Sequence, residues 1–178
     1  MTNYPKYLIL ILAVLLVAVM FAGCTSNPAP AQSTTTVPVQ TTTTTAPAQV
    51  MTTGASFPVV FVGEFQDGIL PVLEKIRDDL SRSDWASLQI DSAKLSSQAR
   101  SSYDKISASD ASPEWQAAKT TTLKLLLDFE KSGDLYAKGA SAYQAGDYSN
   151  AVLYLEQGNT YMQNAVDGMT NTIALIPK

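Results

Sequence analysis

The sequence predicts an all-α protein, an up-and-down antiparallel four-helix bundle that follows an N-terminal signal or anchor and a disordered stalk. Three observations predict this organisation. An uninterrupted apolar run lies near the N-terminus, and a Thr/Pro-rich stretch without charge follows it. Beyond that stretch, apolar residues recur at spacings of three and four, which is the periodicity of amphipathic helices. The chain therefore divides into residues 1–23, 24–56 and 57–178.

The first segment has the layout of a signal peptide or an uncleaved signal anchor. Every residue from Leu8 to Gly23 is apolar or small, and the only charge before this run is Lys6. The run is at the lower limit for a membrane-spanning helix, which needs about 17 to 25 residues. A hydrophobic signal core fits this length slightly better.

Cys24, the only cysteine of the chain, stands where the apolar run ends. The residues Phe21-Ala22-Gly23-Cys24 resemble the lipobox of prokaryotic lipoproteins, with Phe21 at a position where that family usually has Leu. The resemblance implies that the Cys24 thiol carries a diacylglycerol group. The alternative is that Cys24 is a small apolar residue at the end of an uncleaved anchor helix. Both interpretations place the rest of the chain at the extracytoplasmic face of the cell membrane.

The stalk from Thr25 to Ala55 has 31 residues, of which 11 are Thr and 4 are Pro. Without apolar periodicity it cannot offset the entropy of ordering, so we expect a disordered or extended linker. Together with the lipobox, this stalk resembles those of prokaryotic surface lipoproteins, archaeal ones among them.

The first two helices are predicted within 58–82 and about 84–107. Pro71 should kink the first helix or lie in the first turn of a shorter helix capped by Asp67. The predicted core-facing residues are Val62, Phe65, Ile69, Val72, Ile76 and Leu80 in the first helix, and Trp85, Leu88, Leu95, Ala99 and Ile106 in the second.

The third and fourth helices are predicted over 113–145 and 149–175, after Ser112 as N-cap with proline at the first helical position. Large and small residues alternate on their core-facing rows, which predicts a closely packed hairpin. Gly146 should end the third helix, and Ser149 should cap the fourth. The rows are Trp115, Ala118, Thr122, Leu125, Phe129, Ser132, Tyr136, Gly139 and Tyr143, and Ala151, Leu155, Gly158, Met162, Ala165, Met169, Thr172 and Ile176.

The turn of this hairpin has a local resemblance to a known repeat family. Gly139, the run Gly146-Asp147-Tyr148, Ala151, Leu155 and Gly158 resemble the middle of a tetratricopeptide repeat. Ser83-Asp84-Trp85 occupies the equivalent turn between the first two helices. Tetratricopeptide-like hairpins are therefore the alternative to the bundle, although no 34-residue period is visible.

Composition argues against several function classes. Histidine is absent, which removes the usual general base and the commonest metal ligand. The Lys and Arg residues form no cluster, so we expect no nucleic-acid partner. Glu74 and Asp78 share a helix face but are interleaved with Lys75 and Arg77, as on a solvated polar face. We therefore expect no catalysis, no cofactor and no metal.

Tyrosines give the one lead to a binding surface. Tyr154 and Tyr161 are seven residues apart and flank the core-facing row of the fourth helix, where they either contact a ligand or only pack beside the core.

The sequence thus predicts a membrane-anchored, extracytoplasmic helical interaction module without catalytic activity, whose partners are envelope proteins or further copies of itself. The alternative is an envelope lipoprotein with a small ligand or peptide bound between helices, in a pocket lined by Tyr154, Tyr161 and Trp85 or Trp115. An enzyme that uses carboxylates alone is the third hypothesis.

Overall fold

The computed structural model describes residues 55–177, and this part of the chain is all-helical. Cys24 and both N-terminal segments, 1–23 and nearly all of 24–56, lie outside the described residues. Four long helices follow one another: α1 over 57–82, α2 at Trp85–Ala108, α3 at Gln116–Gln144 and α4 at Tyr148–Ala174. A single 3-10 turn, Pro113–Trp115, precedes α3. The four predicted helices are confirmed, with bounds that shift by at most three residues.

Helix α1 is continuous but changes its winding. Its segments are Phe57–Gly63, the π-helical Glu64–Ile69 and Leu70–Arg82. Pro71 lies in the first turn of the last segment, which is the position that one of the two predicted alternatives gave it. Asp67 does not cap this segment, because the chain before Pro71 is already helical. In an α-helix the proline ring would clash with the carbonyl four residues earlier, and a wider turn at this point relieves that clash.

Consecutive helices run antiparallel. Between α1 and α2, Glu64 contacts Lys105 near one end, at 2.7 Å, and Lys75 lies 4.0 Å from Asp91 further along. Between α2 and α3, the Lys119 ammonium donates to the carbonyl of Ser107 at 2.9 Å, whereas the far end of α3 meets the start of α2. The turn between α1 and α2 and the turn between α3 and α4 therefore lie at one end of the molecule, and the loop between α2 and α3 lies at the other.

Helices α2 and α3 approach closely at Gly133. A Cβ at this position would lie 2.6 Å from the carbonyl oxygen of Ser92 and 2.7 Å from the amide nitrogen of Ser96. Because both atoms belong to the backbone of α2, glycine is what permits the two helix axes to come this near.

The α3–α4 hairpin shows the predicted pairing of large with small residues. The ring of Tyr136 lies over Gly158, and its hydroxyl donates to the Oδ1 of Asn159. Leu155 in turn lies against Gly139. The Oγ of Ser132 donates to the carbonyl of Gly158 at 2.9 Å across the helix pair, whereas the Thr122 hydroxyl donates to the carbonyl of Ala118 within α3.

Most predicted core residues are buried, with exceptions at the ends of the rows. Tyr143 was predicted on the core-facing row of α3 and is 37% exposed, because it stands at the last turn of the helix, where less of the neighbouring helices remains to cover it. The predicted core residues that are only half-buried are Val62, Leu80, Trp85, Trp115, Leu155 and Ile176.

Backbone contacts with Asp110 fix the start of the helical domain. Ser56 forms a parallel bridge with Asp110, and the amide of Phe57 donates to the carbonyl of Asp110 at 2.7 Å. The buried ring of Phe57 then packs against Trp115, with ring centroids 5.9 Å apart. Between residues 55 and 177, no helix combines the length and the apolar character needed to cross a bilayer.

Candidate functional site

The turn between α1 and α2 is held by hydrogen bonds at both of its sides. Ser83 has a positive φ of 54° and ends α1, and the amide of Asp84 donates back to the carbonyl of Asp79 at 2.9 Å. The Asp84 carboxylate accepts from the amide of Ser87 at 3.1 Å and thereby caps α2. In this turn α1 therefore ends at Ser83, and the next residue, Asp84, caps α2.

The turn between α3 and α4 repeats this geometry. Gly146 has a φ of 78°, and the amide of Asp147 donates to the carbonyl of Ala142 at 2.9 Å. The Asp147 carboxylate accepts from the amide of Asn150 at 3.3 Å, so Asp147 and not Ser149 is the N-cap of α4. The prediction of Ser149 was wrong because Gly146 ends α3 in the left-handed conformation, which leaves the next residue as the capping position.

An aromatic cluster joins the two turns, and we call it, with the two capping aspartates, the turn-end surface. It consists of Trp85, Tyr143 and Tyr148 together with Asp84 and Asp147. Trp85 and Tyr143 stack with centroids 4.0 Å apart and planes at 24°, and Tyr143 meets Tyr148 edge-on at 5.1 Å. Tyr148 is 60% exposed, which leaves much of the cluster open to solvent.

The amide of Gln144 fixes the relative position of the two turns. Its Nε2 donates to the backbone carbonyl of Trp85 at 3.2 Å and to the Oε1 of Gln89 at 3.0 Å. The end of α3 is therefore tied to the first turn of α2. The exposed rings are held by two capped turns and a hydrogen-bonded side chain, and not by a loose loop.

The pKa values of the capping aspartates and of a neighbouring buried aspartate are shifted in opposite directions. Hydrogen bonds from Ser87 hold the pKa of Asp84 below its ordinary value, and hydrogen bonds from Asn150 do the same for the pKa of Asp147. Burial, followed by the nearby charges of Asp91 and Asp84, raises the pKa of Asp79. The exposed carboxylates of the turn-end surface are therefore charged at neutral pH.

The cluster was missed by the sequence analysis, although a signal for it existed. Trp85 and Tyr148 each follow the capping aspartate of equivalent turns, and Tyr143 lies three residues before the glycine of the second turn. Antiparallel order places both turns at the same end of the molecule, so the two aromatic residues could have been expected to lie close together.

Tyr154 and Tyr161 lie in α4 outside this cluster and are half-buried. They are two turns apart on the same helix, about 10 Å along its axis. Of the two tryptophans predicted as alternatives beside them, Trp85 lies at the end of the molecule that carries the two turns and Trp115 at the other end. A ligand surface at Tyr154 and Tyr161 stays a prediction.

A groove of about 380 Å³ opens at the end opposite the turn-end surface, where α1 begins and α2 ends. Its wall is mainly apolar, with Glu64 and Lys105 as the charged pair. Glu64 also accepts from the buried Ser102 hydroxyl at 2.7 Å, so its carboxylate links α1 to α2. The residues lining the groove are Ala55, Val59, Val60, Gly63, Glu64, Lys105, Ala108 and Ser109.

The carboxylates considered for chemistry are placed as on a solvated face, with Glu74 and Asp78 exposed on α1. Across residues 55–177, acidic side chains form no group of three or more that could hold a metal ion.

Searches against protein-family models, curated proteins and solved structures gave no match to this chain. Function must therefore be argued from the residues and the geometry.

Proposed function

We propose that this chain is a membrane-anchored, extracytoplasmic helical interaction module without catalytic activity, and that it contacts its partners through the turn-end surface. The partners are other envelope proteins or further copies of the chain. One observation carries the proposal: Trp85, Tyr143 and Tyr148 form a continuous aromatic cluster that is open to solvent. Tryptophan and tyrosine are enriched among the few residues that contribute most of the binding energy in protein interfaces.

Two features of the surroundings support a binding role for this cluster. Val152, one turn further along α4 than Tyr148, is 55% exposed and extends the apolar area. The Gln144 hydrogen bonds and the two caps also hold the rings in place before a partner arrives, which lowers the entropy lost on binding.

The finer architecture belongs to the same proposal. An up-and-down four-helix bundle over 57–178 is supported by the antiparallel order of consecutive helices. The tetratricopeptide-like alternative is supported by the repeated turn geometry at Ser83-Asp84 and Gly146-Asp147. In either arrangement the turn-end surface lies at one extremity of the domain.

The anchor rests on the sequence of residues 1–24, with diacylglycerol on Cys24 or, in the alternative, an uncleaved signal anchor. Mass spectrometry of the mature N-terminal peptide separates the two, because processing would leave a peptide that begins at Cys24 and carries the mass of a lipid. A peptide that begins at residue 1 with unmodified Cys24 would rule out the lipoprotein form.

The second candidate, an envelope lipoprotein that binds a small ligand or peptide between helices, is favoured by the apolar groove beside Glu64 and Lys105. A ligand bound there would lie against the apolar wall of this open groove, at the end opposite the turn-end surface.

Site-specific photo-crosslinking in intact cells tests the interaction surface. A photoreactive residue at position 148 should give defined crosslinked species, whereas the same residue at position 175, at the other end of α4 and also exposed, should not. Equal crosslinking from both positions, or crosslinking from 175 alone, would remove the turn-end surface from the proposal.

A further inference from the structure

The turn-end surface combines exposed aromatic rings with two exposed carboxylates, those of Asp84 and Asp147. Its carboxylates are those of Asp84 and Asp147, and residues 139–177, which contain Asp147, have no Lys or Arg. A partner that fits this surface by charge must therefore carry positive charge.

The two capping carboxylates can receive a further hydrogen-bond donor. The Asp84 carboxylate accepts from the amide and the hydroxyl of Ser87, and a carboxylate has about four acceptor positions. The helix N-termini that they cap contribute about +0.5 of an elementary charge each, so every cap retains net negative charge.

Two basic residues, Arg82 and Lys138, lie near the surface in sequence. The Arg82 guanidinium lies 3.6 Å from the carboxylate of Asp79, which is buried in α1. Lys138 is exposed on α3 more than one turn before Tyr143. Arg82 also contributes, after the hydrogen bonds from Ser87, to the lowered pKa of Asp84, whereas Asp147 has no ion pair among the described residues and remains available to an external partner.

We infer that the turn-end surface binds a basic segment of a partner polypeptide, one that presents arginine or lysine side chains. This inference rests on the proposed interaction function and adds the chemistry of the partner. A guanidinium or ammonium group gains from the face of an aromatic ring and from a charge-assisted hydrogen bond to a carboxylate, and the surface offers both groups side by side. Anionic segments are repelled by the same charges.

The test uses the full chain, purified in a neutral detergent, and three probes. The first probe is a synthetic twelve-residue peptide with four arginines among glycine and serine, the second replaces the arginines with glutamates, and the third is maltoheptaose, a neutral sugar. We expect binding of the arginine peptide alone, with an affinity that falls as salt rises.

Two double variants with equal change in net charge locate the binding. Asp84→Asn with Asp147→Asn removes both charges but keeps the caps, because asparagine is an equally good N-cap. Asp104→Asn with Asp167→Asn changes the same two helices 20 residues further on, about 30 Å away. We expect the first pair to lower affinity for the arginine peptide about fivefold or more, and the second pair to leave it within about twofold.

Tyr148→Leu, with the photoreactive residue moved to the exposed position 152, separates the failure of this inference from the failure of the proposed function. If Tyr148→Leu abolishes crosslinking to the partner in cells while the first double variant changes neither crosslinking nor peptide binding, the surface functions but the partner is not basic. If the glutamate peptide or maltoheptaose binds as well as the arginine peptide, the basic-partner inference is wrong. The inference would also be wrong if the chain dimerised in a concentration-dependent way, with dimerisation that salt does not affect and that Tyr148→Leu abolishes. The partner would then be a second copy of this chain.

Discussion

Asp79 is the residue at which the fold buries an unfavourable charge. It is 3% exposed, and its Oδ2 has no hydrogen-bond partner among the described residues, while Arg82 lies 3.6 Å from Oδ1. Burial is the main cause that raises the pKa of this carboxyl, with further contributions from Asp91 and Asp84. The protonated form is therefore favoured by the folded state more than by the unfolded chain.

This gives a pH-dependent prediction for Asp79→Asn. Since the folded pKa lies above the unfolded one, Asp79 favours folding most below its ordinary pKa of 3.8, and this contribution is lost as pH rises through the folded pKa. At pH 7 we expect Asp79→Asn to raise the free energy of unfolding by on the order of 1 kcal/mol, with the difference vanishing near pH 3. Thermal unfolding between pH 3 and 7 measures it. The control is Asp78→Asn, at the exposed neighbouring carboxylate, which should change little at any pH. A stabilisation by Asp78→Asn equal to that by Asp79→Asn would contradict the account.

Helix periodicity predicts some contacts of individual residues and not others. The large and small partners of α3 and α4, such as Tyr136 and Gly158, follow from helix periodicity and the need to fill a close hairpin. The exposure of Tyr143 does not follow, because periodicity continues to the end of α3 while burial depends on where the neighbouring helices begin. The stacking of Tyr143 on Trp85 depends on the relative placement of two helices. The spacing of apolar residues along one helix does not determine that placement.

At the scale of elements, the spacing of α2 and α3 is set by Gly133. A methyl group there would overlap backbone atoms of Ser92 and Ser96, and backbone cannot move aside without shifting a whole helix. Gly63 in α1 has no atom within 4 Å of the equivalent position. The two glycines therefore form a matched pair in which only one is required by packing.

We predict opposite effects for the two alanine substitutions. Gly133→Ala should lower the free energy of unfolding by about 1 to 2 kcal/mol. The added methyl group overpacks the contact between α2 and α3, and the higher helix propensity of alanine offsets only part of that cost. Gly63→Ala should raise it by up to about 1 kcal/mol, because only the propensity gain remains. Urea denaturation followed by circular dichroism measures both. If Gly133→Ala proved as stable as Gly63→Ala, the close approach of α2 and α3 would be refuted.

The π-helical turn in α1 is the element that the sequence did not predict. Pro71 signalled an irregularity, but spacing alone could not distinguish a kink, a break or a widened turn. The choice is linked to tertiary contacts, since the same segment places Glu64 within hydrogen-bond distance of Ser102 and Lys105 in α2. Local sequence thus locates the irregularity, and packing between helices determines its form.

At the scale of the whole molecule, hydrophobic segregation accounts for the proposed organisation. The apolar residues of the described part lie along helix faces that meet one another, and the apolar residues of 8–23 form a separate run far from them in sequence. In the proposed organisation, the uncharged sequence between the two would let the helical domain stand away from the membrane surface. Its turn-end surface could then reach a partner beyond the lipid headgroups.

Labelling of intact cells with a membrane-impermeant, amine-reactive reagent tests this location most directly. The exposed lysines of the helical domain, such as Lys94 and Lys131, are the targets, and a cytosolic protein is the control. We expect these lysines to be labelled to the same extent before and after lysis, while the control is labelled only after it. Protection of Lys94 and Lys131 in intact cells, followed by full labelling on lysis, would contradict the account.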